Sequence, residues 1–290
     1  MFMPTVHPML DSDAVLLCQI PGMRAELLRR LLDRWGSATA ILRAPSAELR
    51  SAGTSPALVA RIVAAPRQQA ATEASLRSLE RMGITTLPFP ALDYPQMLRG
   101  NPDPPLLLYS QGRWSLPEPI VVFVAGEELH GEFRERVTAL LQTLAECGIV
   151  VATISDLALL PTVNALAVLP FGLLLARSRV PEVLLMQAAS GAATILSVTP
   201  VNAPPTPVWE EAARQALLAL AAGVIITGTL PEPLALRPAA CRWFLRSEIP
   251  AGTKRSPSII DGGENGAKTI ARALGIRSLG LTTVQQGRLW

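Results

Sequence analysis

The chain has 290 residues, which is long enough for one large hydrophobic core and a smaller unit, so we expect two domains. Its 49% hydrophobic and 17% charged residues exclude a disordered chain, and a net charge of +3 permits nucleic-acid binding without requiring it. Three widely spaced cysteines and two histidines offer little for a disulfide framework, a zinc site or histidine-based catalysis. We therefore expect no metal site, and the cysteines are interpreted as buried thiols.

Two apolar stretches, residues 157–176 and 216–226, raise the question of a membrane segment. The first contains Pro161, Pro170 and Gly172, and the second covers only about half a bilayer, so both are interpreted as parts of a buried α/β core. The start of the chain, MFMPTVHPMLDSD, has no basic segment followed by an apolar one. These features predict a cytoplasmic protein without a membrane anchor.

Residues 1–82 are predicted to form a helical domain built from two similar units. Leucines at positions 27, 28, 31 and 32 recur at helical spacing after the turn Ile20-Pro21-Gly22. A second unit repeats this layout around Gly53, and its next helix begins with the capping residues Thr54-Ser55-Pro56. Two helix, Gly-turn, helix units in tandem resemble a helix-hairpin-helix arrangement.

Such a turn suits DNA because backbone N–H groups at the glycine and the next helix can meet a phosphate without reading sequence. Gly22 and Arg24 are our candidates for this contact, with Arg29 and Arg30 close enough to assist. The alternative is a helical packing module in which the glycine only permits a tight turn.

Residues 83–118 are dense in proline and turn residues and predict a linker. The large domain, residues 119–290, opens with the β-branched run IVVFVAG, a helical pattern FRERVTALLQTLAECG and the strand IVVATI, which together form a β-α-β unit. Three further apolar runs, ALAVLPFG, ATILSVTP and AGVIITG, alternate with helical or loop segments. This predicts an α/β fold with a Rossmann-like, mostly parallel sheet, helices on both of its faces and the small all-α domain before it.

The segment 83–112 carries Asp93-Tyr94-Pro95, Asp103-Pro104-Pro105, Leu108-Tyr109 and a final Gly112. In these elements it resembles the DprA/Smf family of DNA-processing proteins, whose corresponding segment precedes the first strand of a Rossmann-like domain. The likeness extends over about residues 12–275, and it places Gly172 in a loop after an apolar strand. The resemblance implies a protein that binds single-stranded DNA during DNA uptake and recombination in natural transformation. Its expected partners are single-stranded DNA, a RecA-type recombinase and a second copy of itself, in a homodimer.

The resemblance weakens at the phosphate-binding motifs of the family. A G-S-R loop is represented here by Gly126 followed by Glu127 and Glu128, whose carboxylates would repel a phosphate. The G-x-A-x-G-I-D element has no counterpart, an R-N-R element is represented by Arg214 alone, and an S-G-S-L-x-T-A element is replaced by residues 230–235, LPEPLA. The candidate phosphate-binding residues are therefore Gly22, Arg24, Gly126, Gly172 and Arg214.

No catalytic motif is present, so we expect neither enzymatic activity nor a cofactor. Arg214 lies three residues from Glu211, and an internal salt bridge is as good an interpretation of it as a phosphate contact. Trp209, Trp243 and Phe244 offer stacking faces for bases, although core packing is the better interpretation. Two rival functions remain: a Rossmann-type sensor of a nucleotide-derived ligand, and a regulatory paralogue that has lost its ligand and only dimerises.

Overall fold

The structure is a computed structural model that describes residues 11–112, 119–126, 128–154, 156–228, 240–245, 259–260 and 263–276. The chain divides into two compact units. Unit 1 comprises Met1–Ser115 and Ala167–Leu220, and unit 2 comprises Leu116–Leu166 and Ala221–Trp290. Each unit is therefore built from two separate segments, whereas the sequence-based division at residues 82 and 118 kept every domain contiguous.

The helices within the described residues are numbered in chain order. They are α1 Ser12–Gln19, α2 Ala25–Trp35, α3 Ala38–Leu42, α4 Ser46–Ser51, α5 Pro56–Ala64, α6 Gln69–Arg81, α7 Gln96–Arg99, α8 Gly131–Glu146, α9 Glu182–Ser190, α10 Pro207–Leu220 and α11 Glu264–Ala273. Short 3₁₀ turns lie at Ala65–Gln68, Leu157–Leu159 and Leu173–Ser178.

The strands of the same residues are numbered likewise. They are β1 Ile84–Pro88, β2 Leu107–Gly112, β3 Ile120–Ala125, β4 Val150–Thr153, β5 Ala165–Leu169, β6 Ala193–Ser197, β7 Gly223–Thr227, β8 Cys241–Leu245 and β9 Ile259–Ile260. None of the helices that the structure describes is long and apolar enough to cross a bilayer. The apolar run at 157–176 instead holds β5 and two 3₁₀ turns, because its prolines and glycine interrupt any long helix.

Three helices of unit 1, α1, α3 and α5, begin at a short polar side chain that caps them. The Asp11 carboxylate accepts from two N–H groups of the first turn of α1, and the Ser55 hydroxyl accepts from the N–H of Leu58 in α5. Apolar side chains at helical spacing turn inward, so that Leu28 and Leu31 of α2 and Ile62 of α5 are fully buried. The structure thus has helices throughout residues 12–82, as the sequence pattern predicts.

The predicted linker is regular structure in its described part, residues 83–112. Strand β2 pairs antiparallel with β1, from Ile84 opposite Gln111 to Pro88 opposite Leu107. It also pairs antiparallel with β6, with Tyr109 opposite Ser197. The antiparallel pairing of β2 with β6 explains why the segment 167–220 joins unit 1, a long-range contact that proline content does not reveal.

Unit 2 has a parallel sheet in which β3 lies between β4 and β7. Strand β3 pairs parallel with β4 on one side and with β7 on the other, and β8 and β9 continue the sheet beyond β7 in parallel. Helices α8 and α11 pack on it, and Leu140, Trp243 and Ile270 lie in one buried cluster. Strands β4 and β7 are buried along their whole length, as in a sheet that is covered on both faces. The predicted α/β class with a mostly parallel, Rossmann-like sheet is confirmed.

Candidate nucleic-acid interface

Two glycine turns in unit 1 join helices in the same way. Gly22 has φ of 88° between α1 and α2, and Gly53 has φ of 83° between α4 and α5. Glycine adopts this left-handed conformation without the steric cost that a Cβ brings. Both turns lie at the surface, and the residue after each, Met23 or Thr54, is buried. The turns therefore expose short stretches of backbone beside the start of the following helix.

We call the segment from α1 to α2 the first hairpin and the segment from α4 to α5 the second hairpin. An arginine from each hairpin reaches the glycine turn of the other. The Nη1 atom of Arg61, from α5, donates to the carbonyl oxygen of Pro21 at 2.7 Å. The Nη1 atom of Arg30, from α2, lies 3.8 Å from the point where a Cβ on Gly53 would stand. Reciprocal placement of this kind brings both guanidinium groups to the exposed glycine turns.

We refer to Arg24, Arg30, Arg34 and Arg61 as the turn arginines. All four are exposed, and among the described residues none forms an ion pair with a carboxylate. Arg34 donates from Nη1 to the Ser51 hydroxyl of the second hairpin at 3.3 Å. These cations therefore remain available to an anion.

Arg29 does not join this set, although the sequence suggested that it could assist. Its Nη2 atom donates to the carbonyl oxygens of Arg99 at 2.6 Å and Asn101 at 3.4 Å, and its guanidinium lies 5.0 Å from the centre of the Phe89 ring. The side chain ties α2 to the segment after α7. The next residue, Arg30, is exposed because successive positions on a helix differ in direction by about 100°.

A second candidate site lies in unit 2, where β3 and β7 end side by side. The chain continues from β3 to β4 on one side, while β7 lies on the other side of β3, which makes this a topological switch point. Ligands of open α/β sheets bind in the crevice outside the carboxyl ends of such strands. Gly126 follows β3 here, and its N–H donates to the carbonyl oxygen of Thr227 at 2.8 Å. The Gly126 N–H predicted to meet a phosphate is thus engaged within the protein.

The charges around this crevice disfavour a phosphate. Glu128 is exposed, with a carboxylate oxygen 3.6 Å from Nε2 of His130, and Glu132 lies in the first turn of α8. The nearby Arg134 pairs with Asp156 at 3.1 Å. Acidic groups at the helix start oppose the partial positive charge that would attract an anion.

Gly172 is buried and its backbone is already paired. Its N–H donates to the carbonyl oxygen of Ala203 at 2.9 Å, and a Cβ there would lie 2.2 Å from the carbonyl oxygen of Val201. The glycine is required because two backbone segments approach closely at this point. In this conformation its N–H is not free to donate to a phosphate, and a role of Gly172 in DNA binding stays a prediction.

Arg214 is held by a neighbour on its own helix. Its Nε and Nη2 atoms contact Oε2 of Glu211 at 2.9 and 2.5 Å. These hydrogen bonds lower the pKa of the Glu211 carboxyl below its ordinary value. The internal salt bridge that the sequence left open is therefore formed, and it neutralises much of the charge proposed for phosphate binding.

Comparison with family models gives no match, and no curated protein matches significantly. Among solved structures, the chain is similar to DNA processing protein A (DprA) from Streptococcus pneumoniae, with a TM-score of 0.58, 14% sequence identity, and coverage of 91% of this chain and 98% of that one. The chain has a DprA-like fold. It also matches DNA processing protein A from Helicobacter pylori, a structure concerned with that protein's single-stranded DNA binding mode, with a TM-score of 0.43, 15% identity, and coverage of 67% and 89%.

Within this DprA-like fold, the candidate residues fall into two groups. Gly22 and Arg24 share one exposed turn of unit 1, whereas Gly126, Gly172 and Arg214 already have partners inside the protein. The replaced motif at residues 230–235 lies outside the described residues. Trp243 is a core residue of unit 2, as the sequence favoured, while Phe244 is 39% exposed.

Sequence reasoning missed Arg61, although the repeat carries a signal for it. Gly53 follows Gly22 by 31 positions, and Arg61 follows Arg30 by the same interval. The buried pairs Leu28 and Val59 and Leu31 and Ile62 keep this register. Aligning the two hairpins on their glycines would have identified both arginines as equivalent positions.

Proposed function

We propose that the protein is a non-catalytic, DprA-like protein that binds the backbone of single-stranded DNA at its two glycine turns. The observation that carries this proposal is the set of exposed turn arginines without carboxylate partners. In the finer form of the proposal it acts in DNA uptake and recombination during natural transformation. It does so as a homodimer that assists a RecA-type recombinase. The finer form rests on the sequence resemblance of residues 83–112.

Arginine suits this role because its planar guanidinium donates two parallel hydrogen bonds to a phosphate and keeps its charge. Affinity for a nucleic-acid backbone grows with the number of phosphates that are neutralised and counterions that are released. Contacts of this kind carry no sequence information, which fits a protein that must hold any strand. Four clustered cations support modest, salt-sensitive binding.

The crevice of unit 2 adds little to this binding, on our proposal. Glu128 and Glu132 stand beside it, and the Gly126 N–H is bonded to Thr227. This protein would then bind DNA through the helical part of unit 1 alone, whereas the family that it resembles also uses its phosphate-binding loops. We expect weaker binding than a protein with both surfaces would show.

Fluorescence anisotropy with a labelled oligothymidine and a matched duplex tests the proposal, with titrations at low and moderate salt. We expect binding to the single strand that weakens as salt rises, and weaker binding to the duplex. No binding to either nucleic acid at low salt would refute the proposal and favour a regulatory paralogue that only dimerises.

A second candidate function is a sensor of a nucleotide-derived ligand in the unit 2 crevice. One observation favours it: the Thr227 hydroxyl is fully buried at the end of β7 and has no hydrogen-bond partner among the described residues. A buried hydroxyl without a partner costs free energy unless a ligand or water satisfies it. A rise in melting temperature with a nucleotide, without any binding to DNA, would support this function.

A further inference from the structure

A cavity of about 460 Å³ lies within unit 1, next to the carboxyl end of β6. Small-molecule sites commonly have volumes of roughly 300–1,000 Å³, so this one can hold a compact ligand. The end of α1 forms one wall with Cys18 and Gln19, and α10 forms another with Trp209 and Ala212. Asn101, residues 103–107 and Tyr109 line it on the side of β2.

The lining combines an aromatic face with several hydrogen-bonding groups. Trp209 offers an indole ring, and Gln19, Asn101 and Gln215 offer amides. Gln19 also hydrogen bonds to Tyr109. An aromatic ring surrounded by a few polar groups is the usual composition of a site for a flat heterocycle.

The charge of the cavity excludes a phosphorylated ligand in its interior. No arginine or lysine is among the described residues that line it, and Asp103 contributes a carboxylate that has no ion pair in the described part of the chain. Burial raises the pKa of the Cys18 thiol to about 12 and raises that of the Tyr109 phenol, so both groups are uncharged at neutral pH. A phosphate would meet a single negative charge and no cation.

We infer that this cavity binds a nucleobase, stacked on Trp209, with its edge hydrogen bonded to Asp103 and the amides of Gln19 and Asn101. The inference goes beyond the proposed function, because a base can arrive on a DNA strand or as a free nucleoside. Stacking on an aromatic side chain tolerates every base, since each base has a π-face. The selectivity therefore comes from the edge of the base.

The carboxylate of Asp103 sets that selectivity. An ionised carboxylate only accepts hydrogen bonds, so it favours a base with an exocyclic amine, as Asp or Glu does with the N4 amine of cytosine. Uracil and thymine carry a carbonyl at the equivalent position and would place an acceptor against an acceptor. The cavity should thus prefer cytosine to uracil.

The cavity lies close along the chain to the first glycine turn. Gln19 lines it, and Gly22 follows three residues later, which limits the separation of their Cα atoms to about 11 Å. A strand whose phosphates contact the turn arginines could therefore place one base in the cavity. A free nucleoside would need no such contact.

Calorimetric titration of the full chain with cytidine and with uridine tests the free nucleoside as the source of the base. We expect cytidine to bind at least about fivefold more tightly than uridine, the lower end of the discrimination that a good base-edge contact gives. The Asp103→Asn variant should lose most of this preference, because an amide can also donate. Glu182→Gln, an exposed neutralisation on α9 outside the cavity, is the matched control and should keep the preference.

Oligodeoxycytidine and an abasic strand of the same length test the DNA strand as the source of the base. We expect oligodeoxycytidine to bind more tightly than the abasic strand. The ratio of the two affinities should fall in the Trp209→Leu variant. It should stay the same in the control Val208→Leu, which changes an exposed neighbour on the same helix. If Trp209→Leu lowers the melting temperature, Ala212→Met, which fills the cavity from α10, replaces it in the comparison.

Binding of the abasic strand reports only phosphate contacts, so it separates the two proposals. If the protein binds cytidine but not the abasic strand, the DNA-binding proposal is refuted and the nucleobase site in the cavity is supported. Base-dependent binding in either titration that is lost in the cavity variants supports the cavity and identifies its source. No base dependence in either titration, or a cytidine preference unchanged in Asp103→Asn, overturns the inference.

Discussion

Replacing Arg30 and Arg61 together with glutamine should halve the electrostatic part of DNA binding. For single strands, the logarithm of the binding constant falls against the logarithm of the salt concentration with a slope of about −0.7 per neutralised phosphate. If each of the four turn arginines neutralises one phosphate, the slope is about −2.8 in the unmodified protein and about −1.4 in the double variant.

These slopes convert into affinities that an anisotropy titration can resolve. Between 50 and 200 mM salt, the unmodified protein should lose about fiftyfold in affinity and the double variant about sevenfold. Arg177→Gln is the matched control, because Arg177 is exposed in unit 1 and is not one of the turn arginines. It should leave the slope unchanged.

Arg61 also supports the first turn, so its charge and its hydrogen bond must be separated. Its contact with the Pro21 carbonyl is worth about 0.5–1.5 kcal/mol, and Arg61→Gln removes it. Arg61→Lys keeps the charge, and we expect a salt slope close to that of the unmodified protein. An equal slope in the unmodified protein and the Arg30→Gln, Arg61→Gln variant would refute the assignment of the glycine turns as the DNA-binding surface.

Three further predictions concern the interior of the protein. Gly172→Ala should lower the free energy of unfolding by about 1–3 kcal/mol in urea titrations without changing DNA affinity, because the new Cβ would meet the Val201 carbonyl; unchanged stability would contradict the close approach. Alkylation of Cys18 at pH 8, followed by mass spectrometry, should be much slower in the folded than in the denatured protein, since burial raises its pKa to about 12, and equal rates would disprove this. Arg214→Ala should raise the pKa of the Glu211 carboxyl in an NMR titration. Because Arg214 lowers that pKa in the folded state, the pair contributes its small stabilisation above about pH 4.3 and loses it as the pH falls further. An unchanged Glu211 titration in the variant would show that the pair does not form in solution.

The sequence by itself determined the local structure. The serine before Pro56 caps a helix, and the alternation of apolar runs and helical patterns gives the β-α-β order, because capping and periodicity depend on residues a few positions apart. The 31-residue repeat of Gly22 and Gly53 also belongs to the sequence. These signals were sufficient for the fold class and for the first candidate turn.

Only the tertiary structure decided which cations and glycines are free. Arg29 and Arg30 are adjacent in sequence, yet Arg29 donates to the Arg99 and Asn101 carbonyls and Arg30 reaches the opposite glycine turn. Gly172 fits a phosphate loop by pattern, but the segment containing Ala203 takes its N–H. Such outcomes depend on partners that lie tens of residues away, because burial and hydrogen bonding are set by the packing of distant segments and not by local spacing.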